Sequence, residues 1–599
     1  MPVTPPQTPR APRCGTDGVV VPAARAATQD VNGTGSPLAT ATGKFIAKAA
    51  LITASLSVAG ALLGLVRDQA LAQLFGAGSE TDAFLVAWTV PEFAATLLIE
   101  DGLAIAMIPA FSLALARRAQ GVPGDPVRSL VASTLPRLSL GFVAVSALII
   151  VGAPYLVGAL APGLPEPGLA ADCTRLTATC VLSFGLAGYC SAALRAHRRF
   201  LAPATIYVAY NAGIIAAMFL LGERWGVRSA AAGVAAGGCL MVAVQLPSLR
   251  RLLRSRPSVS GGGVKVPPMN LALISSVLLF AMCRQSQVLI ERFLASTLPA
   301  GAISHLNYAQ KVAQIPMTLS LMLCTVTFPV VAQALADGDT ERARARVERD
   351  LALACRLVLF GTATVVACAP QIIAILFQRG AFTAQDTVVT AGVLRVYALG
   401  LLGQTLVGVL IRTYFSAGRP TWYPIGAMTA GVVATTWIGV GTVDIWGVSA
   451  IAAANAAGIT VTAALLLAGL AQEPNGHARP KNARRAGRPA GPSSFVFSTW
   501  TAGRRRRAAQ YSRSRGVPIH TRHVLSDLGR PLRAAVVATV AGASASSAPG
   551  SPVVGFAVGC VTVTAVFLLL GLALGTQGRA SALHSVGAVT RRLRHGRSS

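Results

Sequence analysis

The sequence predicts an all-α polytopic membrane protein with about fourteen transmembrane helices, and three observations support this fold class. Only 12% of the 599 residues are charged and 53% are hydrophobic, whereas soluble proteins carry about 25% charged residues. Many apolar runs reach the roughly 20 residues that a helix needs to cross about 30 Å of hydrocarbon. Basic residues recur in alternate loops between these runs. The predicted architecture is two six-helix lobes followed by two C-terminal helices.

The first half of the chain contains a tail and one lobe. Residues 1–43 are rich in Pro, Ala and Thr, and we interpret them as a disordered cytoplasmic tail. The N-terminal six-helix lobe covers 45–246, with spans at 45–66, 82–115, 130–160, 173–194, 201–222 and 226–246. A basic cytoplasmic linker follows at 247–268.

The second half repeats this layout and adds two helices. The C-terminal six-helix lobe covers 269–471, with spans at 269–294, 313–335, 351–378, 386–415, 422–442 and 446–471. A basic cytoplasmic segment, 472–531, precedes the last two helices, which occupy 532–575 and are predicted at 532–549 and 552–575. Residues 576–599 form a basic cytoplasmic tail.

Loop charge predicts the orientation of the chain. Arginines cluster after spans two, four, six and eight, and include Arg117, Arg118, Arg128, Arg195, Arg198, Arg199, Arg250, Arg251, Arg342, Arg344, Arg346 and Arg349. Basic loops stay in the cytoplasm, so both termini are predicted to be cytoplasmic. The net charge of +30 then reflects topology and contact with anionic membrane lipids, and we expect no nucleic-acid partner.

The two lobes are predicted to be an internal repeat. APYLVGALAPG at 153–163 resembles APQIIAILFQRG at 369–380, Leu194-Arg195 with Pro203 recurs as Ile411-Arg412 with Pro420, and Pro109 corresponds to Pro329. Six helices per repeat is an even number, so the lobes are parallel and related by an axis along the membrane normal. Two such lobes rocking about a central site is a recurrent transporter plan.

The stretch from Gly64 to Phe111 places ionisable residues inside an apolar segment. They are Arg67, Asp68, Glu80, Asp82, Glu92, Glu100 and Asp101. A charge at mid-bilayer depth costs about 2.5–3.5 kcal/mol on insertion scales, so these groups are expected to face a protein interior or a wet cavity. Two interpretations remain open, a loop with buried ion pairs or the polar wall of a transport cavity.

A second polar cluster lies in the seventh and eighth spans. Arg284, Glu291 and Arg292 stand at i, i+7 and i+8, which predicts one shared helical face, and Lys311 follows with Gln310 and Gln314 beside it. A structural ion pair of Glu291 with Arg284 or Lys311 would explain the face. Alternatively, because the cations outnumber the lone glutamate, the face predicts an anion site, for which guanidinium is a natural phosphate partner.

No enzymatic motif accompanies these clusters. The sequence contains no GxxxxGK[ST], H-E-x-x-H or GxSxG motif, and its seven histidines do not cluster. The ten cysteines form no CxxC pair, so neither a zinc site nor a disulfide framework is indicated. We expect a non-enzyme without a cofactor, driven by an ion gradient (Na⁺ or H⁺) or by the membrane potential.

Three longer motifs resemble the MurJ/MviN family of the MOP exporter superfamily. They are GLVRDQALAQLFGAGSETDAF followed by IED-x6-IP, LASTLPAGAISHLNYAQKVAQIP, and LFQRGAFTAQDT. The resemblance covers about residues 45–471. It implies a fourteen-helix lipid II flippase of the bacterial plasma membrane, which moves an undecaprenyl-pyrophosphate-linked peptidoglycan precursor to the outer leaflet by alternating access, for cell-wall synthesis.

The resemblance also implies roles for individual residues. Arg67 matches a family arginine that lines the headgroup cavity, Asp82 matches the TDAF aspartate, and Lys311 stands where the family usually has arginine. With the cluster above, the predicted substrate-binding residues are Arg67, Arg284, Arg292 and Lys311, and the predicted cavity or gating residues are Asp82, Glu100 and Glu291. The last two helices are expected to add a groove for the lipid tail.

The chain departs from the family pattern at several of these positions. Ala61, Ala95 and Thr96 stand where the family has arginine, and Gln310 and Gln314 stand where it has acids. Two other functions therefore remain open. One is export of a different amphiphile or natural product, and the other is a non-transporting scaffold that recruits wall-synthesis proteins through the arginine-rich stretch 479–533.

Overall fold

The computed structural model describes residues 37–100, 102–120, 125–254, 271–325, 339–416, 421–471 and 519–574. The chain divides into two compact units, Met1–Ile52 and Thr53–Ser599. Of the first unit, residues 37–52 are described, and they are helical. Apart from residues 45–52, both predicted lobes belong to the second unit, and the remainder of the description concerns that unit.

The first lobe consists of nine helices and one π-helical turn within the described residues. They are α1 (Pro37–Phe75, of which residues 53–75 belong to the second unit), α2 (Ser79–Ala87), α3 (Thr89–Ala94), the π turn (Ala95–Glu100), α4 (Gly102–Ala119), α5 (Pro126–Leu160), α6 (Pro167–Ala178), α7 (Cys180–Ala196), α8 (Leu201–Trp225) and α9 (Arg228–Arg254).

The second lobe and the C-terminal pair follow. The lobe contains α10 (Leu271–Ser296), α11 (Ala302–Thr325), α12 (Thr340–Ala367), α13 (Ala369–Phe377), α14 (Ala384–Ala398), α15 (Leu401–Ser416), α16 (Tyr423–Trp446) and α17 (Val448–Gly469). The last two helices are α18 (Thr521–Ser547) and α19 (Pro552–Leu574).

The predicted all-α membrane fold is confirmed. Within the described residues, ten helical segments are long and apolar enough to cross a membrane, or eleven if the bent pair α14–α15 is one span. The helices α10, α11 and α18 do not meet this test, and the first two carry the predicted polar clusters. The count of fourteen spans stays a prediction.

Two predicted spans have other bounds in the structure. The helix of the first span continues to Phe75, past the predicted end at 66, and contains the ion pair of Arg67 with Asp68. Helix α11 begins at Ala302, before the predicted 313, because its polar first half is buried against other helices. Residues 326–335 of that predicted span lie outside the described residues.

Backbone geometry in the two lobes supports the internal repeat. Trp225-Gly226-Val227 recurs as Trp446-Gly447-Val448, and the two glycines join α8 to α9 and α16 to α17 with nearly identical backbone angles. Gly226 has φ 55° and ψ −142°, and Gly447 has φ 56° and ψ −136°. This conformation is essentially restricted to glycine. The breaks at Thr179 and Leu399, which divide α6 from α7 and α14 from α15, also occupy corresponding positions.

Alanine at Gly447 should destabilise the fold by about 1–3 kcal/mol, the usual cost of a disfavoured backbone conformation. A Cβ atom there would meet nothing within 4 Å, so the cost comes from the backbone alone. The measurement is the thermal unfolding midpoint of Gly447→Ala in detergent. Gly441→Ala is the matched control, because Gly441 also has open space around it but lies within α16. Equal midpoints for the two variants would contradict this explanation.

The end of α17 and the start of α18 are joined by a short backbone bridge. Ala471 and Ile519 form an isolated parallel β-bridge, in which the amide of Ile519 donates to the carbonyl of Leu470 at 3.0 Å. Ile519 is fully buried, and the amide of His520 donates to Glu348 Oε1 at 2.9 Å. The start of α18 is therefore fixed against α12 and the end of α17. Most of the predicted basic segment, residues 472–518, lies outside the described residues.

Candidate substrate cavity between the two lobes

A polar cavity of about 460 Å³ lies between the lobes, and residues from both line it. This volume falls within the range of small-molecule sites. Five of the seven predicted site residues are brought together here: Arg67, Glu100, Arg284, Glu291 and Lys311. The stretch from Gly64 to Phe111 therefore contributes a cavity wall, as the second of its two interpretations predicted.

Arg67 lines the cavity, and its side chain already has an ion-pair partner and a hydrogen-bond partner within the protein. Its Nη2 atom lies 2.6 Å from Asp68 Oδ1, and its Nη1 atom donates to Asn211 Oδ1 at 3.1 Å. The guanidinium carbon also lies 4.2 Å from the ring centre of Trp88, a cation–π distance. Arg67 is thus held in one position, and its charge is largely offset by Asp68.

Removing Arg67 should destabilise the protein because it leaves Asp68 without its partner. The two side chains are only 11% and 7% exposed, and breaking a buried ion pair on one side costs up to about 3–5 kcal/mol. We expect Arg67→Ala to lower the thermal unfolding midpoint and Arg67→Ala/Asp68→Ala to recover part of the loss. Arg284→Ala serves as the control with little effect. An unchanged midpoint in Arg67→Ala would refute the pairing role.

Arg284 and Lys311 differ from Arg67 in having no ion-pair partner among the described residues. Arg284 comes from α10 and Lys311 from α11, both in the second lobe, and both side chains face the cavity. The predicted alternative, an ion pair of Glu291 with either of them, is wrong for the described structure. Asn455 instead donates a short hydrogen bond to Glu291 Oε1.

The cavity does not have the predicted excess of positive charge. Glu92 and Glu100 of the first lobe join Glu291 in the lining, so three carboxylates face three cations. Each residue of the π turn advances the chain by a smaller angle than in an α-helix, which helps to bring both glutamates to one side. Glu100 accepts a hydrogen bond from the Tyr207 hydroxyl at 3.0 Å.

Two predicted site residues lie outside the cavity lining. Arg292 is buried and interacts electrostatically with Glu92, Glu291 and Asp82. The shared face predicted for it is wrong, because at about 100° per residue it lies roughly 80° around the helix from Arg284, whereas Glu291 lies within about 20°. Asp82 is also buried and does not line the cavity.

Amide side chains on the second-lobe wall were missed as a group by the sequence analysis. Gln285, Gln287, Gln310, Gln314 and Gln404 line the cavity. Gln404 donates to the Tyr397 hydroxyl at 3.2 Å, and Gln285 donates to Thr96 Oγ1 at 3.2 Å across the lobes. Opposite them stand the aromatic residues Trp88, Phe184, Tyr207 and Tyr210. The sequence signal was the number of glutamines in the seventh and eighth spans.

Outside the cavity lining, a buried contact at Asp82 joins the two lobes. Asp82 of the first lobe accepts hydrogen bonds from the amides of Gly301 and Ser304, both at 2.7 Å, and from the Ser304 hydroxyl at 2.5 Å. Three donors of the second lobe thus converge on one carboxylate. We call this group the Asp82 latch.

Further contacts between the lobes lie on the same side. The amide of Ala381 donates to the carbonyl of Gln73 at 2.9 Å, and the amide of Gly163 donates to Ser296 Oγ at 3.4 Å. These residues lie at or just beyond the ends of spans one, three, seven and nine, which the positive-inside rule predicts to face outward.

The sequence pattern of the family described as "Lipid II flippase MurJ" matches residues 71–506, which is most of the chain. The chain belongs to the lipid II flippase MurJ family. This confirms the resemblance drawn from the three motifs. MurJ proteins are transporters and not a family of enzymes, and the chain is a multi-pass membrane protein like the rest of the family.

Curated MurJ relatives cover much of the chain. The lipid II flippase MurJ of Burkholderia cenocepacia is 28% identical over 388 residues, which are 62% of this chain and 73% of the relative. The probable lipid II flippase MurJ of Thermotoga maritima is 29% identical over 361 residues, covering 59% of this chain and 71% of the relative.

Solved structures show the same fold. A lipid II flippase MurJ in an inward closed conformation aligns with a TM-score of 0.65 at 17% identity, covering 88% of this chain and 99% of that one. An inward-facing multidrug resistance MATE transporter of the MOP superfamily aligns with a TM-score of 0.55 at 14% identity, covering 69% and 96%.

The positions at which this chain departs from the MurJ pattern are mostly cavity positions. Ala95, Thr96, Gln310 and Gln314 line the cavity, whereas Ala61 does not and is exposed. The departures expected from the resemblance therefore concern the charge and polarity of the cavity wall. Among the described residues, no group of three or more His, Cys, Asp or Glu side chains is arranged to hold a metal ion.

Proposed function

We propose that this chain moves lipid II, the undecaprenyl-pyrophosphate-linked precursor of peptidoglycan, from the cytoplasmic to the outer leaflet of the bacterial plasma membrane. Family membership and the curated MurJ relatives support this cargo. The observation that carries the proposal is the cavity between the lobes, with Arg284 and Lys311 facing it and no ion-pair partner for either among the described residues.

The two unpaired cations are the proposed partners of the pyrophosphate. Guanidinium and ammonium groups bind phosphate oxygens through charge-assisted hydrogen bonds, and both are in the second lobe. Arg67 is a positioning residue in this scheme because Asp68 and Asn211 already occupy its donors. The amide wall and the aromatic wall suit the sugar and peptide parts of the headgroup, which present hydroxyl, amide and apolar surfaces.

The hydrogen bonds between the lobes at Asp82 support alternating access. In the proposed orientation, with both termini cytoplasmic, the Asp82 latch closes the outer side and the cargo enters from the cytoplasmic side. Movement to the outer leaflet then requires the three hydrogen bonds on Asp82 to break. An equilibrium of this kind shifts only by the difference in cargo affinity between the two states.

No covalent bond of the cargo changes in this scheme, so it requires no catalytic residue. The driving force is an ion gradient of Na⁺ or H⁺, or the membrane potential. An inside-negative potential assists an anion moving outward by roughly 2.3 kcal/mol per charge per 100 mV.

The direct test is depletion of the native flippase in a bacterium that expresses this chain. Lipid II in the outer leaflet is then measured by its accessibility to an impermeant reagent. Outer-leaflet lipid II is expected to be restored to the level before depletion. Lipid II that stays in the inner leaflet would exclude this cargo.

One observation favours a second candidate, the export of another amphiphile. The cavity carries as many carboxylates as cations, which weakens its selectivity for an anion. Restored growth without restored lipid II in the outer leaflet would support this candidate. The scaffold hypothesis stays a prediction, since most of the stretch 479–533 lies outside the described residues.

A further inference from the structure

A second hollow, separate from the central cavity, lies along the first lobe. It is an apolar groove of about 650 Å³, bordered by α3, the π turn, α5 and single residues of α7 and α10. Thr89 and Arg137 are its polar members, and the lining is otherwise apolar. The span that contains α5 is only 17% buried inside the protein, so the groove lies on the surface that faces lipid. We call it the α5 groove.

The segment from Thr89 to Glu100 separates the α5 groove from the substrate cavity. Its residues alternate between the two hollows at helical spacing. Glu92, Ala95 and Thr96 face the cavity, whereas Phe93 and Leu97 face the groove. Leu289 of the second lobe completes the groove lining. A molecule in the groove would therefore support the wall of the cavity and touch both lobes.

Arg137 marks one end of the groove. It is exposed and has no ion-pair partner among the described residues. From Leu138 to Leu160 the helix contains no charged residue, so Arg137 stands at the border between hydrocarbon and headgroups, on the cytoplasmic side in the proposed orientation. The groove lining continues along α5 to Leu160, about 35 Å of helix from Arg137. The part from Arg137 to Ile149 runs for about 18 Å, close to the depth of one leaflet of a bilayer about 30 Å thick.

We propose that the α5 groove binds one anionic phospholipid of the inner leaflet, with its phosphate on Arg137 and an acyl chain along Gly141, Phe142 and Val145. The positive charge of Arg137 favours a lipid with a net negative charge as the occupant of the groove. The pyrophosphate of the transported lipid is assigned to the central cavity, so the arginine at the end of this groove takes the phosphate of a separate lipid. A zwitterionic lipid would offer the same acyl chain without the net charge that a lone guanidinium favours.

The test counts phospholipids that stay bound to the purified full-length chain. The protein is taken from vesicles of equal phosphatidylglycerol and phosphatidylethanolamine, and its bound lipids are measured by native mass spectrometry. We expect one retained phosphatidylglycerol per protein. Arg137→Gln should reduce the retained fraction about fivefold, as expected for one basic residue at an anionic surface, and Gly141→Leu should displace the lipid by filling the groove, where a Cβ atom would meet nothing within 4 Å.

Two control variants separate the site from general effects. Arg250→Gln removes another exposed arginine, at the end of α9, and Gly158→Leu adds the same side chain elsewhere on α5, where there is also open space. Both should retain the lipid as the wild type does. Equal retention of the two phospholipids by the wild type, or unchanged retention in Arg137→Gln, would overturn the proposal. If Gly141→Leu does not fold, Arg137→Gln by itself still tests the proposal. A retained polyprenyl lipid in place of phosphatidylglycerol would also overturn it.

Discussion

Replacing both Arg284 and Lys311 with glutamine is expected to lower lipid II movement by about a hundredfold or more. Each residue is proposed to make a charge-assisted hydrogen bond to the pyrophosphate, and such bonds contribute about 1.5–3 kcal/mol. About 1.4 kcal/mol corresponds to a tenfold change, so the loss of both bonds corresponds to a change of at least about a hundredfold. The measurement is the rate at which fluorescent lipid II becomes accessible in the outer leaflet of reconstituted vesicles. The single variants should each lose about tenfold or more.

The control for this experiment is Arg250→Gln, which removes a cation outside the cavity. Thermal unfolding of the double variant should match the wild type, because neither side chain has an ion pair to lose among the described residues. A double variant that folds normally and moves lipid II at the wild-type rate would refute the assignment of the pyrophosphate to the second lobe. The proposed function would then depend on Arg67.

Asp82→Ala is expected to open the outer side of the cavity and to abolish most transport. The change leaves the amides of Gly301 and Ser304 without their buried acceptor, and each unsatisfied buried group costs about 1–3 kcal/mol. The cost falls on the closed state alone, so the population shifts toward the open state. The measurement is the distance between nitroxide labels at Gly168 and Gln385, determined by double electron–electron resonance spectroscopy. The labels are attached without cysteine chemistry. Both positions are exposed, one in each lobe.

Asp386→Asn is the matched control for the latch. Asp386 is a carboxylate on the same side of the protein, but it accepts hydrogen bonds from the amide and hydroxyl of Thr383 within the second lobe. Its loss should weaken the start of α14 without changing the distance between the lobes. An unchanged distance distribution in Asp82→Ala would show that the other contacts close this side by themselves.

Much of this fold could be predicted from the sequence because a membrane leaves few alternatives. Apolar runs locate helices, and loop arginines set their direction. The cavity residues Arg67, Arg284 and Lys311 could also be predicted, because a charge in an apolar span must face a protein interior or water. The recurrence of Trp-Gly-Val was also visible in the sequence, and it marks the repeat more sharply than the motifs that were used.

The remaining features depend on geometry that periodicity does not contain. The π turn places Glu92 and Glu100 on the cavity side, and no single residue type announces such a turn. The position of Arg292, by contrast, follows from the helical period itself, and the sequence analysis grouped it with Arg284 too broadly. The pairing of Arg67 with Asn211 joins residues from α1 and α8, so only the packed structure reveals that this arginine is already occupied.

The bridge between Ala471 and Ile519 suggests a practical use of the chain. Because the bridge holds these two residues next to each other, a protein domain inserted between them need not displace the helices before and after it. A fluorescent protein inserted there should leave the transporter working and would allow single molecules to be followed in dividing cells. The same position offers a place to exchange the intervening sequence for that of a relative.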